Sequence, residues 1–216
     1  MKTVIFDMDG VIIDSEPVHV RIESVLFDEL GIIMAPGEQE SYVGTSGANM
    51  FALIKKRHGL AQSVESLLKI SRSRLKEVLR SGDIDMVGGA ASLIHRLHEK
   101  GYPLALASSS INEHIDIVME RFTIARYFRC RVSGDDVTQS KPDPEIFLTT
   151  ARRMGVPPED CWVIEDSEHG VRAAVDAGMR CIGFANPNSG NQNLSKADYI
   201  IRNMSDAESL IEKSSR

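Results

Sequence analysis

The stretch Thr3-Val4-Ile5-Phe6-Asp7-Met8-Asp9-Gly10 is a short apolar run followed by two aspartates that are one residue apart. Because side chains alternate between the two faces of a β-strand, Asp7 and Asp9 are expected to point toward the same place where the strand ends at Gly10. Two carboxylates that close repel each other, so the pair needs a cation or a shared proton. An ordinary solvent-exposed acidic turn has the same local sequence. The rest of the chain must therefore decide between such a turn and a functional site.

The composition is that of an ordinary globular protein, with 216 residues, 42% hydrophobic residues, 26% charged residues and a net charge of −6. The acidic balance argues against nonspecific binding of nucleic acid. No apolar run is long enough to span a bilayer. We expect no signal peptide, because Met1 and Lys2 lead straight into the first strand. We expect a cytoplasmic protein that acts as a monomer and contacts neither nucleic acid nor a membrane.

Three cysteines, Cys130, Cys161 and Cys181, are widely spaced and lie in or beside apolar runs. Zinc sites are built from paired ligands at short spacing, which these residues lack. The pattern favours reduced structural thiols, as in cytosolic proteins.

Short apolar runs alternate with helical patterns through most of the chain. The runs cover 3–6, 104–107, 130–133, 161–164, 181–184 and 199–201, and the helical patterns cover 90–100, 112–121, 144–154 and 168–177. Strands that alternate with helices predict an α/β fold with a parallel sheet and helices on both faces.

One region, between residue 14 and about residue 83, contains only helical patterns. The first begins near Glu16 and Pro17, since proline suits the first turn of a helix. Its expected apolar stripe consists of Val18, Ile22, Val25, Leu26 and Leu30, a second pattern contains Met50, Leu53 and Ile54, and a third covers 67–79. We expect residues 16–82 to form a small helical module placed over a core made of residues 1–15 and 83–216.

Polar residues follow several predicted strands at the edge where ligands bind in open α/β sheets. They are Asp7-Met8-Asp9-Gly10, Ser108-Ser109-Ser110, Ser140-Lys141-Pro142-Asp143-Pro144 and Glu165-Asp166-Ser167. Each stretch alone is common as a capping turn or a surface loop. Together they bring carboxylates, which suit Mg²⁺, to the same edge as hydroxyls and a lysine, which suit a phosphate.

With these stretches in this order, the chain resembles the haloacid dehalogenase-like hydrolase superfamily, in the branch with a helical cap after the first strand. The resemblance covers nearly the whole chain and extends to Gly170 after the last motif and to Glu145-Ile146-Phe147 after Pro144. Within that branch the chain is similar to the β-phosphoglucomutase and sugar-phosphate phosphatase group. The resemblance implies a Rossmann-like core with an inserted helical-bundle cap.

The resemblance also implies a mechanism. Asp7 would attack phosphorus and form an aspartyl phosphate, and Asp9 would protonate the leaving alkoxide and then activate water. A carboxylate at position 9 points to phosphate-ester chemistry, because haloacid dehalogenases typically lack it and ion-pumping relatives have threonine there.

The remaining motif residues are implied to bind the substrate and the metal. The residues expected to bind phosphoryl oxygens are Ser108, Ser109 and Lys141, and those expected to hold Mg²⁺ are Asp7, Asp9 through its backbone carbonyl, Glu165 and Asp166. The implied partner is a small phosphorylated metabolite.

Two alternatives to a phosphatase are a sugar-phosphate mutase and a non-catalytic sensor. A sensor on this fold would have lost Asp7, Asp9 or Lys141. The mutase pattern is matched by His19 and by the loop 43–47, where Gly44 and Ser46 are candidate substrate contacts. It has an arginine where this chain has Gly47, which disfavours a second phosphate. Arginines that could replace it are Arg57, Arg72 and Arg74. We favour the phosphatase over the mutase.

Overall fold

The computed structural model describes residues 2–35, 37–42 and 46–213. Within them six strands form one sheet: β1 (Thr3–Phe6), β2 (Leu104–Ala107), β3 (Phe128–Val132), β4 (Cys161–Glu165), β5 (Arg180–Phe184) and β6 (Tyr199–Ile201). Their order is β3-β2-β1-β4-β5-β6, and every neighbouring pair is parallel. The predicted α/β class with a parallel sheet is confirmed.

The helices of the described residues are α1 (Glu16–Glu29), α2 (Gly47–His58), α3 (Val64–Ser81), α4 (Ala90–Glu99), α5 (Asn112–Arg121), α6 (Glu145–Met154), α7 (Glu168–Asp176) and α8 (Asp206–Lys213). Short 3₁₀ turns cover Glu40–Tyr42, Ala125–Tyr127, Gly134–Asp136 and Pro158–Asp160. The limits of the strands and of α4 to α7 differ from the predicted ones by at most two residues, α3 begins three residues before its predicted pattern, and α8 was not predicted. No helix of the described residues is both long and apolar enough to cross a bilayer.

Strand β1 lies at the centre of the sheet and is buried on both sides. Val4 and Phe6 pack with α4, α5 and α8 on one face, while Ile5 packs with α6 and α7 on the other. This alternation is the two-residue period of a strand. It fixes the direction in which the residues after Phe6 leave the sheet.

The helices α1, α2 and α3 enclose an apolar cluster of their own. It consists of Leu26, Phe27, Ile32, Tyr42, Met50, Phe51, Ile54 and Leu67. The predicted stripe of α1 was wrong at Val25, which is 47% exposed, and Leu53 of the second pattern is 51% exposed. Helix α1 packs along Val18, Ile22 and Leu26, which recur every four residues, and Val25 lies off that line.

The chain leaves and re-enters the core side by side. The amide of Asp14 donates to the carbonyl of Asp85 at 3.0 Å, and the amide of Val87 donates to Ile12 at 2.9 Å. Gly82, just after α3, has a φ of +94°, and its carbonyl accepts from Nη2 of Arg121 at 2.8 Å. Neither the stretch 14–16 nor the stretch 81–83 belongs to a strand of the sheet.

Candidate active site

The carboxyl ends of three neighbouring strands bring the predicted site residues together. Asp7 follows β1, Ser108 follows β2, and Glu165 ends β4 with Asp166 directly after it. The ladder continues past β1, since the amide of Asp7 donates to Ile164 at 3.0 Å. The parallel arrangement therefore places these side chains at one edge of the sheet, as the sequence predicts.

Lys141 lies at the centre of this edge. Its Nζ donates to Oδ1 of Asp7 at 2.6 Å, to Oε1 of Glu165 at 2.7 Å and to the carbonyl of Ala107 at 3.3 Å. The lysine side chain is 7% exposed, and Nζ lies 4.9 Å from the centre of the Phe147 ring at the start of α6. A single buried ammonium group thus joins β1, β2 and β4.

The charges at this edge do not balance. Burial raises the pKa of Asp7 to about 8, against the opposing effect of Lys141 and with Glu165 and Asp9 adding to the rise. Burial also raises the pKa of Asp166 well above its ordinary value, again with help from Glu165 and Asp7. Burial alone would lower the pKa of Lys141, but the two carboxylates outweigh it and hold that pKa above its usual value. The site contains more negative charge than one lysine can offset.

Asp9 is held by the serines that follow β2. Its Oδ2 accepts from Oγ of Ser110 at 2.8 Å and from Oγ of Ser108 at 3.3 Å. Ser108 is fully buried, and its Oγ accepts from the Ser110 amide at 3.0 Å. Ser109 is exposed and lines the cavity described below. The sequence analysis selected Ser108 and Ser109 and missed Ser110, which has the shorter contact with Asp9.

Asp166 is positioned from the loop after β5. Oγ of Ser189 donates to Oδ2 of Asp166, and Nδ2 of Asn186 donates to the Gly10 carbonyl at 2.8 Å. Gly10 has a φ of +73°, and a β-carbon there would overlap the Asp166 carboxylate. Residues 186–193 were not among the predicted site residues, although they follow a predicted strand that ends at the same edge.

The donor set fits a hard divalent cation. Asp7, Asp166 and the Asp9 carbonyl offer oxygen ligands. Burial, and after it the neighbouring carboxylates, raises the pKa values of Asp7 and Asp166, and a bound cation would favour their charged forms. Glu165 is already engaged on both oxygens, by Lys141 and by the amide and hydroxyl of Ser167. As they stand, no three acidic, histidine or cysteine side chains in the described ranges converge as metal ligands.

A cavity of about 490 Å³ lies between this edge and the inserted helices. The core contributes Asp7, Asp9, Ser109, Lys141 and Asp166, and the insert contributes His19, Glu23, Ser46, Gly47 and Arg72. Gly44 lies outside the described residues, so its predicted contact has no structural description.

Three arginines could take the role of the arginine that the mutase pattern has in place of Gly47, and they lie in different surroundings. Arg57 pairs with Glu38 at 3.1 Å, and Arg74 pairs with Glu29 at 2.5 Å. Arg72 lines the cavity. It is therefore the one of the three that is placed to meet a bound ligand.

Known proteins resemble this chain over most of its length. A family model described as haloacid dehalogenase-like hydrolase matches residues 4–184. The β-phosphoglucomutase of Bacillus subtilis is 30% identical over 212 residues, covering 95% of this chain and 91% of that protein. A phosphorylated carbohydrates phosphatase of Thermotoga maritima is 31% identical over 182 residues, covering 84% of each. The solved structure of CbbY from Rhodobacter sphaeroides in complex with phosphate has a TM-score of 0.82, at 25% identity and 94% coverage of both chains.

Proposed function

The chain belongs to the haloacid dehalogenase-like hydrolase family, and from that premise we propose that it is a Mg²⁺-dependent phosphatase of a small phosphorylated metabolite. The observation that carries the proposal is the buried contact of Lys141 with Asp7 at the floor of a cavity. A phosphate dianion can approach a carboxylate only where cations offset the repulsion, and phosphoryl transfer is driven mainly by positioning and electrostatics.

Asp7 is the proposed nucleophile. Its carboxylate attacks phosphorus, the bond to the leaving oxygen breaks, and an aspartyl phosphate forms that water then hydrolyses. Lys141 holds Asp7 in place through the 2.6 Å contact and offsets charge on the phosphoryl oxygens. Ser108 and Ser109 are the proposed partners of those oxygens, with Ser109 at the cavity surface.

Asp9 is the proposed general acid and base. It protonates the leaving alkoxide in the first step and takes a proton from water in the second. The hydrogen bonds from Ser110 and Ser108 fix the direction of its carboxylate.

Mg²⁺ is proposed to bind Asp7, Asp166 and the backbone carbonyl of Asp9, with Glu165 completing the set expected from the resemblance. When bound, the cation offsets the negative charge of the carboxylates and of the phosphate. In this structure one oxygen of Glu165 accepts from Lys141 and the other from Ser167, so Glu165 would give up one of these contacts to bind the cation.

Residues 16–82 are proposed to act as a cap over a core of residues 1–15 and 83–216. The insert has its own apolar cluster, its two crossings lie side by side, and it lines the cavity together with Asp7. Closure of the cap would exclude water during attack on phosphorus. The cavity-lining residues His19 and Ser46 are proposed to contact the substrate there.

A sugar-phosphate mutase is the second candidate. It is favoured by the relative named β-phosphoglucomutase and by the position of Arg72 in the cavity wall. Gly47 disfavours it, because glycine offers only a backbone amide where a bidentate arginine would grip a second phosphate.

The free cysteines support a reducing, cytoplasmic location.

The test measures phosphate release from an aryl phosphate and from a panel of sugar phosphates, nucleotides and short phosphorylated metabolites. We expect release with Mg²⁺ and none in excess EDTA. Asp7→Asn should lose detectable turnover while keeping the circular dichroism spectrum of the folded protein, because Lys141 retains Glu165 as a partner. Asp28→Asn, which removes an exposed charge on α1, is the control and should remain active. Full activity in EDTA or in Asp7→Asn would contradict the mechanism.

A further inference from the structure

Glu23 is an acidic residue on the cavity wall that the insert contributes. It lies on α1, is half-buried and lines the same cavity as Asp7 and Lys141. Asp9 is one of the charged groups that influence the pKa of Glu16. The charged groups that influence the pKa of Glu23 are His19 and Glu16. From Glu16 to Glu23 the helix rises about 10 Å, at 1.5 Å per residue. Glu23 therefore lies toward the end of the cavity remote from the reacting aspartates.

Among the residues that the structure describes, no lysine or arginine pairs with the carboxyl group of Glu23. The groups that act on this carboxyl group are His19, Glu16 and the side-chain amide of Gln39. Burial raises the pKa of Glu23 to about 7, with His19 opposing the rise and Glu16 adding to it. Near neutral pH the group is therefore present both as a carboxylate and as a carboxylic acid, and it can accept or donate hydrogen bonds.

We infer that Glu23 selects substrates by the end remote from the phosphate, admitting those with hydroxyl groups there and rejecting those with a second phosphate or a carboxylate. This inference rests on the proposed phosphatase function. A partly buried anion repels another anion more strongly than it would in bulk water. A hydroxyl group instead forms a hydrogen bond with the carboxyl group in either of its protonation states.

Arg72 lines the same cavity and would repel an ammonium group at the remote end, as Glu23 would repel an anion there. A sugar or polyol phosphate carries no such cost, because its remote end is uncharged.

The test compares sorbitol 6-phosphate with 6-phosphogluconate, which differ at the remote end by a hydroxymethyl group against a carboxylate. Each compound is measured for kcat/KM and as a competitive inhibitor of aryl phosphate hydrolysis, so the comparison stands even without turnover. The proteins are the wild type, Glu23→Gln, Glu23→Asp, which keeps the charge, and Asp28→Asn, which removes a charge from the exposed side of α1. We expect Glu23→Gln alone to reduce the preference for sorbitol 6-phosphate, by about tenfold or more.

An unchanged preference in Glu23→Gln, or an equal reduction in Asp28→Asn, overturns the role of Glu23. Tighter binding of the 1-amino-1-deoxy analogue of sorbitol 6-phosphate overturns the choice of hydroxyl over amine. The aryl phosphate separates this inference from the proposed function. A wild-type protein that leaves the aryl ester intact refutes both, whereas one that hydrolyses it and shows no preference at the remote end refutes only the role of Glu23.

Discussion

The ammonium group of Lys141 lies 2.6 Å from Oδ1 of Asp7, although the two residues are 134 positions apart in the chain. The same nitrogen lies 2.7 Å from Oε1 of Glu165. All three side chains are less than 10% exposed, so the contacts are shielded from water. The lysine therefore supports both the fold of this edge and the reactivity proposed for it.

Replacement of Lys141 by methionine should reduce both stability and turnover. Removing one partner of a buried ion pair leaves an uncompensated charge, and we expect a loss of about 3–5 kcal/mol in the free energy of unfolding. The matched control is Lys2→Met, which breaks the more exposed pair with Asp160 and should cost less than about 1 kcal/mol. Urea denaturation measures the loss of stability in each variant, and phosphate release measures turnover. Equal losses of stability in the two variants would contradict a special role for Lys141.

Asp9→Asn should separate the acid from the nucleophile. An alkyl phosphate has a poor leaving group that needs a proton, so we expect its turnover to fall by about 10²–10⁴-fold. An aryl phosphate should lose less in the first step, because its leaving group departs without that proton. A burst of phenol release followed by slow turnover would report the trapped aspartyl phosphate.

The control for Asp9 is Ser110→Ala. This variant keeps the carboxylate but loses its 2.8 Å hydrogen bond, and it should cost at most about tenfold. Unaltered hydrolysis of the alkyl ester by Asp9→Asn would remove Asp9 from the mechanism.

Gly10→Ala should reduce stability far more than Gly178→Ala, although both glycines have the same φ. Gly10 and Gly178 both have a φ of +73°, but a β-carbon has nothing within 4 Å at Gly178 and overlaps the Asp166 carboxylate at Gly10. Gly178→Ala should therefore show only backbone strain, about 1 kcal/mol. Gly10→Ala should in addition weaken Mg²⁺ binding, measured by calorimetry. Equal effects would mean that the approach of Asp166 is unimportant.

Arg72→Ala tests the choice between phosphatase and mutase. With β-glucose 1-phosphate and catalytic glucose 1,6-bisphosphate, a coupled assay should detect phosphate release faster than glucose 6-phosphate formation. Isomerisation that outruns phosphate release and is lost in Arg72→Ala would establish the mutase instead. Arg74→Ala is the control, because Arg74 pairs with Glu29 outside the cavity wall.

Asp136→Asn should lower stability in a pH-dependent way. The Arg153 side chain and the Ser133 amide lower the pKa of Asp136 to about 2, so the folded state favours the carboxylate. The stabilisation is present above the ordinary pKa of an aspartate, near 3.8, and is lost as the pH falls toward 2. We expect a loss of about 1–2 kcal/mol at pH 7 that narrows below pH 4.

The control for Asp136 is Asp176→Asn. Asp176 forms an exposed pair with Arg172 at 3.5 Å, whose loss should cost less than about 0.5 kcal/mol. A pH-independent loss in Asp136→Asn would mean that its charge is unimportant.

The edge positions of Asp7 and Asp166 could be predicted because each directly follows a strand, and that of Lys141 because its loop joins β3 to α6 at the same edge. Parallel strands then bring their carboxyl ends together whatever the loops do. The roles of these residues stay predictions, but their proximity follows from the fold.

The contacts of Ser110 and Ser189 could not be predicted in the same way. They depend on which hydroxyl in a loop turns toward a neighbouring carboxylate, and the sequence pattern does not encode that direction. Helix α8 was missed because eight residues are too few for a clear period. The exposure of Val25 depends on where two inserted helices cross, which a single helix pattern leaves open.

The hydrogen bond between Asp14 and Asp85 means that the inserted helices begin and end at almost the same point in space. A turn of a few residues can bridge that point, so we expect the proposed cap to be replaceable as one unit. A graft from another protein would alter which molecules are admitted without moving the groups that break the phosphorus–oxygen bond. Substrate recognition and phosphate-ester cleavage can therefore change independently, because different segments of the sequence encode them.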